Sequence, residues 1–240
     1  MHTKICLSPD PFLNFKILHL NDINTAMKEK RTKIDSYHLV DFTEYGPDDA
    51  KETILLLHGY GEKAETIFRK LSSVLPSDVK IICPNGPFPM PKKTDEGFKM
   101  SYAWYFFDPI REQFFIDYDL PATLLQKFIK TQDLDQLPLT IIGYSQGGYL
   151  APFVGQKLSN TTHVIGINCR FRYDMMNSEI NFRLDAIHGA ADNLVDPVKA
   201  HKSFNILKNK GIKGEFHIIE GEGHTLSNPI KKCLAKIIGS

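Results

Sequence analysis

Short, mostly apolar runs alternate with longer amphipathic segments from about residue 37 to the end of the chain. Some of these runs, such as residues 54–57 (Ile-Leu-Leu-Leu), contain no polar position, which is typical of strands covered on both faces of a parallel sheet. The pattern predicts seven strands, at 37–43, 53–58, 80–84, 140–144, 163–168, 184–188 and 215–220.

The segments between these strands place apolar residues at helical spacing. Ile67, Phe68, Leu71 and Leu75, for example, fall on one face of a helix. The pattern predicts helices over 65–75, 120–131, 148–158, 197–210 and 229–238. Because strands and helices alternate, we expect an α/β fold in which a mostly parallel central sheet carries helices on both faces.

Two regions do not follow this alternation. Residues 1–35 form either an edge strand near 16–20 or a loosely attached extension, and the sequence leaves both open. Residues 85–118 contain several prolines and glycines and predict a long loop, and loops of that length are usually functional. Residues 36–240 are expected to form a single domain.

Composition and charge exclude several classes of protein. The chain is 42% hydrophobic and 24% charged, with a formal net charge of +1, so neither a disordered chain nor a nucleic-acid-binding protein is expected. No apolar run approaches the roughly 20 residues of a membrane-spanning helix, and the N-terminal segment lacks the apolar stretch of a secretory signal. Four scattered cysteines predict reduced thiols and a cytoplasmic protein.

The strongest chemical signal is residues 143–148, Gly-Tyr-Ser-Gln-Gly-Gly, between a predicted strand and a predicted helix. This is a G-x-S-x-G nucleophile elbow in its required context, in which a tight turn raises Ser145 above the sheet edge. The backbone N–H of Gln146 then lies at the helix N-terminus, where it can stabilise developing negative charge. The alternative is a glycine-rich turn that only binds an anion.

A serine nucleophile needs a histidine base and an acid that orients it, and this architecture places them in the order Ser, acid, His. His224 lies in a glycine-rich loop directly after the last predicted strand, so it is the expected base. The loop after the preceding strand supplies two aspartates. We expect Asp192 to be the acid, because Asp196 directly before Pro197 suits a helix N-cap; Glu222 is a poorer alternative.

A second oxyanion donor is expected from the loop after the strand at 53–58. Residues 58–62 are His-Gly-Tyr-Gly-Glu, and their small side chains let the backbone near Tyr60 approach the reacting centre. We interpret His58 as a structural anchor of this loop. An ordinary strand-to-helix turn is the alternative for the whole segment.

The chain resembles the phospholipase/carboxylesterase family of α/β-hydrolases, which includes acyl-protein thioesterases. The resemblance covers roughly residues 37–240 and rests on His58-Gly59-Tyr60-Gly61, on Ile82-Cys83-Pro84-Asn85-Gly86-Pro87, on Trp104 with Phe107-Asp108, on Gly143 to Gly148, on His188-Gly189 with Asp192, and on Gly223-His224. It implies an α/β-hydrolase fold, a triad of Ser145, Asp192 and His224, and an oxyanion hole formed by the amides of Tyr60 and Gln146.

Aromatic residues are concentrated in the predicted loop at 85–118. Ten of them lie there, in a chain with 16 Phe, 9 Tyr and 1 Trp. We expect this segment, and Trp104 and Phe107 in particular, to form an apolar wall that holds an acyl chain. The alternatives are rings that seal the core or form a dimer contact.

Together these features predict a serine hydrolase that cleaves carboxylic esters or thioesters with an apolar acyl part through an acyl-enzyme at Ser145. The substrate is a small molecule, or an acylated protein or a lysolipid. Neither a metal nor an organic cofactor is implied, because the sequence has no H-E-x-x-H motif, no spaced Cys/His set and no P-loop. A serine peptidase and a non-catalytic binding protein on the same fold are the alternatives.

Overall fold

The computed structural model describes residues 38–177 and 179–239, which form thirteen strands and five α-helices. The strands are β1 (Phe42–Tyr45), β2 (Thr53–Leu57), β3 (Lys80–Pro84), β4 (Phe88–Pro89), β5 (Lys92–Thr94), β6 (Gly97–Lys99), β7 (Tyr102–Ala103), β8 (Phe106–Asp108), β9 (Gln113–Ile116), β10 (Leu139–Tyr144), β11 (Thr161–Ile167), β12 (Arg183–Gly189) and β13 (Phe216–Ile219). The helices are α1 (Ala64–Leu71), α2 (Asp119–Thr131), α3 (Gln146–Lys157), α4 (Pro197–Asn209) and α5 (Asn228–Ile238).

Seven strands form the central sheet, in the order β1-β3-β2-β10-β11-β12-β13. Only the pairing of β1 with β3 is antiparallel, and the other pairs are parallel. The predicted mostly parallel sheet is therefore confirmed. The predicted strand near 16–20 lies outside the described residues.

Helices cover both faces of this sheet. Because successive residues of a strand point to opposite faces, each central strand contributes side chains to two cores. Leu55 and Leu57 of β2 belong to one core, which α2, α3 and α4 cover. Ile54 and Leu56 belong to the other core, which α1 and α5 cover. This explains why β2 has no polar position: both of its faces are buried.

The segment at 85–118 differs from the predicted long loop. It contains β4 to β9, which pair locally as three antiparallel ribbons: β4 with β7, β5 with β6, and β8 with β9. These strands have two to four residues each. Such short strands give no usable apolar alternation, so periodicity could not predict them.

Most predicted helices agree with the structure to within a residue or two, and the two differences have local causes. The helix predicted over 65–75 ends at Leu71 and continues as a 3₁₀ turn, Ser72–Val74. The helix predicted from 148 begins at Gln146, because Ser145 alone connects β10 to α3. None of the helices in the described ranges is long and apolar enough to cross a membrane.

Candidate active site

The turn between β10 and α3 holds Ser145 in a strained backbone conformation. Its φ of 51° and ψ of −117° are unfavourable for a residue with a side chain. A Cβ atom on Gly147 would lie 2.3 Å from the carbonyl oxygen of Leu57, and one on Gly143 would lie 2.3 Å from that of Gly147. Both glycines are therefore required for the turn to bring Ser145 to the sheet edge.

Ser145, His224 and Asp192 form one hydrogen-bonded line. Nε2 of His224 lies 2.9 Å from Oγ of Ser145, and Nδ1 lies 2.8 Å from Oδ2 of Asp192. The three residues follow β10, β13 and β12, whose carboxyl ends meet at one edge of the sheet. When Asp192 accepts from Nδ1–H, the imidazole presents the Nε2 lone pair to the serine hydroxyl.

The two aspartates after β12 have different partners. Asp192 is buried, and its Oδ1 accepts from the N–H groups of Leu194 and Val195, each at 2.9 Å. Asp196 instead accepts from the N–H groups at the start of α4, which makes it the N-cap of that helix. These contacts leave Oδ2 of Asp192 facing His224.

A second histidine, His188, also contacts Asp192. Its Nε2 lies 3.3 Å from Oδ2 of Asp192 and 2.9 Å from the carbonyl oxygen of Val195, so Nε2 carries a proton and donates. Burial lowers the pKa of His188, which favours the neutral imidazole. His188 therefore adds a neutral donor beside the acid.

Asn168, for which the sequence predicted no role, links the loop that carries Asp192 to the loop that carries His224. Its buried side chain donates to the carbonyl oxygens of Gly223 and Thr225, which flank His224, and accepts from the N–H of Gly189 at the end of β12. Its φ of 50° lies in the left-handed region, which Asn tolerates better than most residues. The only sequence signal was a polar residue at the end of an apolar strand.

Tyr144 adds a further contact to the base loop. Its hydroxyl donates to the carbonyl oxygen of His224 at 2.9 Å. Burial raises the pKa of Tyr144 to about 12, so the hydroxyl keeps its proton and remains a donor at neutral pH. The residue directly before Ser145 thus supports the loop that carries His224.

Tyr60 and Gln146 are among the residues that line the cavity beside Ser145. Within the described part of the chain the backbone N–H of neither residue has a hydrogen-bond acceptor. The Gln146 side chain is held separately, because its amide oxygen accepts from the N–H of Trp104 and its amide nitrogen donates to the carbonyl oxygen of Tyr105. Both residues therefore line this cavity and keep a backbone N–H without an acceptor among the described residues.

His58 anchors the loop that carries Tyr60. Its Nδ1 donates to the carbonyl oxygen of Gly59 and its Nε2 accepts from the N–H of Gly86. Burial lowers the pKa of His58 to about 4, and the resulting neutral ring can both donate and accept. This is the structural role that the sequence predicted for His58.

A cavity of about 440 Å³ opens beside Ser145, within the usual size of small-molecule sites. The ribbon at β8–β9 and α3 supply much of its aromatic lining, which consists of Tyr60, Tyr105, Phe106, Phe107, Tyr118 and Tyr149. Phe107 thus lies where the sequence analysis expected it. Trp104 does not: it is fully buried beneath the site, where its ring N–H donates to the carbonyl oxygen of His58.

Two arginines, Arg170 and Arg172, complete the polar part of this lining. Within the described residues, no three His, Cys, Asp or Glu side chains converge to hold a metal ion. The arrangement offers a serine hydroxyl, a histidine hydrogen-bonded to a buried aspartate and an adjoining cavity, which together suit acyl transfer.

The sequence profile of the phospholipase/carboxylesterase family matches residues 40–238 of the chain. A curated relative, acyl-protein thioesterase 1 homolog 1 of Dictyostelium discoideum, is 25% identical over 204 residues, which cover 78% of this chain and 88% of that protein. The match includes the elements that carry Ser145, Asp192 and His224.

Solved structures show the same fold. Acyl-protein thioesterase 2 of Zea mays has a TM-score of 0.65 at 20% identity, covering 85% of this chain and 98% of that one. A carboxylesterase from Mesorhizobium loti has a TM-score of 0.64 at 19% identity, covering 80% of this chain and 90% of that one. The chain therefore shares the α/β-hydrolase fold with these enzymes.

Proposed function

The chain belongs to the phospholipase/carboxylesterase family, and from this premise we propose that it is a serine hydrolase that cleaves carboxylic esters or thioesters through an acyl-enzyme at Ser145. The observation that supports this most directly is the hydrogen-bonded line from Ser145 through His224 to Asp192. A serine hydroxyl becomes an effective nucleophile only when a neighbouring base takes its proton.

In the acylation half-reaction, Oγ of Ser145 attacks the substrate carbonyl while Nε2 of His224 takes the hydroxyl proton. The N–H groups of Tyr60 and Gln146 hydrogen-bond the oxyanion that forms. Asp192 holds the imidazole in the correct tautomer and stabilises the imidazolium. When the tetrahedral intermediate collapses, His224 gives the proton to the departing alcohol or thiol.

In the deacylation half-reaction, His224 takes a proton from water, and the hydroxide oxygen attacks the ester carbonyl of acyl-Ser145. The same two N–H groups stabilise the second oxyanion. Collapse of this intermediate releases the carboxylic acid and returns the proton to Oγ of Ser145. The protonation state of the site is then restored, and no cofactor is needed for either step.

The acyl group is proposed to occupy the aromatic-lined cavity, which includes Phe107. Trp104 is fully buried and does not line this cavity, so it is not proposed to contact the substrate. The Dictyostelium discoideum relative is named as an acyl-protein thioesterase, so an acylated protein is a candidate substrate alongside small esters, thioesters and lysolipids. A cytoplasmic location, expected from the scattered cysteines, is part of the same proposal.

The test is covalent labelling of the full chain with a fluorophosphonate, followed by mass spectrometry of the peptide that contains Ser145. We expect labelling at Ser145, none in Ser145→Ala, and a loss of kcat in that variant approaching about 10⁶-fold. Ser203→Ala, in α4, is the matched control and should be labelled like the unmodified protein. Absence of labelling at Ser145 would instead favour a non-catalytic binding protein.

A further inference from the structure

The cavity beside Ser145 combines aromatic walls with the side chains of Arg170 and Arg172. We propose, building on the serine hydrolase function above, that the acyl part of the substrate ends in a carboxylate and that Arg170 binds it. The substrate class is then a monoester or monothioester of a dicarboxylic acid, with an apolar stem against the aromatic rings. Four observations support this inference.

The first is the position of Arg170 in the fold. β10 and β11 are parallel neighbours, with Tyr144 paired to Ile167, so the chain leaves β11 beside the turn that carries Ser145. Arg170 follows within three residues of that strand end. Tyr149, in the first turn of α3, lines the same cavity as Arg170 and Ser145. The arginine therefore lies on the cavity wall that also includes the nucleophile.

The second is the difference in charge compensation between the two arginines. The Arg172 guanidinium makes a two-pronged contact with Asp174, at 3.0 and 2.6 Å, and lies over the ring of Phe114. Arg170 makes no ion pair within 4.0 Å among the described residues, but it lies close enough to Asp174 to help lower the pKa of that carboxyl. The two arginines thus share one carboxylate, and because the cavity lining contains neither Asp nor Glu, they keep one positive charge in excess beside the cavity.

The third is the chemistry of a half-buried guanidinium in an aromatic cavity. Its N–H donors lose hydration when an acyl chain fills the cavity, and a donor left without a partner is costly. A carboxylate matches the planar donor geometry of arginine and forms charge-assisted hydrogen bonds with it. An acyl chain that ends in a carboxylate therefore suits this cavity better than one that ends in a methyl group.

The fourth concerns which part of the substrate occupies the cavity. His224 must protonate the leaving group, so the leaving group lies on the His224 side of Ser145. The described residues that line the cavity include Ser145, Gln146 and Tyr60 but not His224. The cavity therefore holds the acyl part, and the anionic group that Arg170 binds belongs to the acid rather than to the alcohol or thiol.

The experiment compares two p-nitrophenyl esters with six-carbon acyl groups, the hexanoate and the adipate monoester, after subtraction of their uncatalysed hydrolysis. We expect the unmodified protein to favour adipate over hexanoate in kcat/KM by tenfold or more. Arg170→Gln should lower the adipate-to-hexanoate ratio at least tenfold, and Arg170→Lys should lower it less. Arg69→Gln, which removes the same charge from the exposed face of α1, should leave the ratio within twofold.

Two further arms separate the alternatives. The first arm compares two thioesters of hexanoate, one with a neutral thiol and one with a sulfonate-bearing thiol, which places the anion on the leaving group. A preference for the sulfonate-bearing thioester that Arg170→Gln abolishes would overturn the assignment of the anion to the acyl side. Hydrolysis of hexanoate with labelling of Ser145 but no preference for adipate would overturn this inference alone. No hydrolysis of either ester and no labelling would overturn the proposed function as well.

Discussion

At the scale of single residues, Asp192 and Asp196 lie four positions apart but have separate hydrogen-bonding partners. Asp192→Asn is expected to lower kcat by about 10⁴-fold, because an amide can hold the imidazole in the wrong tautomer and cannot stabilise the imidazolium. Asp196→Asn should leave kcat nearly unchanged, since asparagine is nearly as good an N-cap as aspartate. Steady-state kinetics of both variants measure the contrast. An inactive Asp196→Asn with an active Asp192→Asn would reverse the assignment.

The two aromatic residues that were expected to contact the acyl chain should now behave differently. Phe107→Ala removes part of the cavity wall, so kcat/KM should fall more for long acyl chains than for acetate, by about 0.8 kcal/mol for each CH₂ no longer covered. Trp104→Ala removes a fully buried ring and should lower the free energy of unfolding by about 3–5 kcal/mol.

Kinetics over a chain-length series and urea unfolding together separate these two effects. If Phe107→Ala lowered kcat/KM equally for all acyl lengths, the ring would have a structural role rather than a role in acyl preference. If Trp104→Ala changed acyl preference without a loss of stability, the tryptophan would contact the substrate after all.

At the scale of elements, Asn168 holds the loop after β13 against the loop after β12. Asn168→Ala leaves two carbonyl oxygens and one N–H without their partner and places alanine at a positive φ. We expect the free energy of unfolding to fall by about 1–3 kcal/mol, and kcat of the folded fraction to fall at least tenfold, because His224 is no longer held against Ser145.

Asn160 offers the matched control for this prediction. Its side chain also donates to two carbonyl oxygens, those of Leu134 and Leu137, but it lies before β11, at the opposite edge of the sheet. Asn160→Ala should cost a comparable free energy of unfolding while kcat is retained. Equal kcat in the two folded variants would show that Asn168 contributes only to stability.

At the scale of the whole molecule, the edge of the sheet opposite the candidate site carries a buried ion-pair cluster around Asp185. Burial by itself would raise the pKa of Asp185, but hydrogen bonds from His163, Arg183 and the N–H of Glu215 outweigh it and lower the pKa to about 2. A carboxyl group with a lower pKa in the folded state than in the unfolded state stabilises the folded protein at pH values above its unfolded-state pKa. This stabilisation is lost as the pH falls through the folded-state pKa.

The pH dependence of unfolding measures this contribution. The free energy of unfolding of the unmodified protein should fall relative to that of Asp185→Asn as the pH is lowered from about 5 to about 2. The change should be smaller than about 2 kcal/mol, because Arg183 is half exposed and its charge is screened by solvent. Urea unfolding at several pH values provides the data. Asp95→Asn, which removes an exposed carboxylate from the β5–β6 turn, is the control. A stability difference that is constant with pH would contradict the prediction.

Features that depend on short-range geometry could be predicted from the sequence. Short apolar runs located the strands of the central sheet, and helical spacing of apolar residues located the helices around it, because each pattern reflects which faces of an element are buried. The glycines at 143 and 147 indicated the strained turn of Ser145, because only glycine fits where a Cβ atom would collide with the backbone. Chain order and strand-end position were enough to select Asp192 and His224 as candidates, and the structure places both in line with Ser145.

Other features arise from contacts between distant segments and have no signal in the local sequence. The three ribbons within 85–118 have strands too short for a periodic signal, and pairing alone defines them. Trp104 lies in an aromatic-rich segment and was therefore expected to line the pocket, but it packs against His58 and is buried in the core. Asn168 joins two loops far from it in the chain, and Arg170 stands beside Ser145 because β10 and β11 are neighbours. Neither Asn168 nor Arg170 could be identified from a local sequence pattern, because hydrogen bonds and charges across a sheet edge produce no periodicity in the sequence.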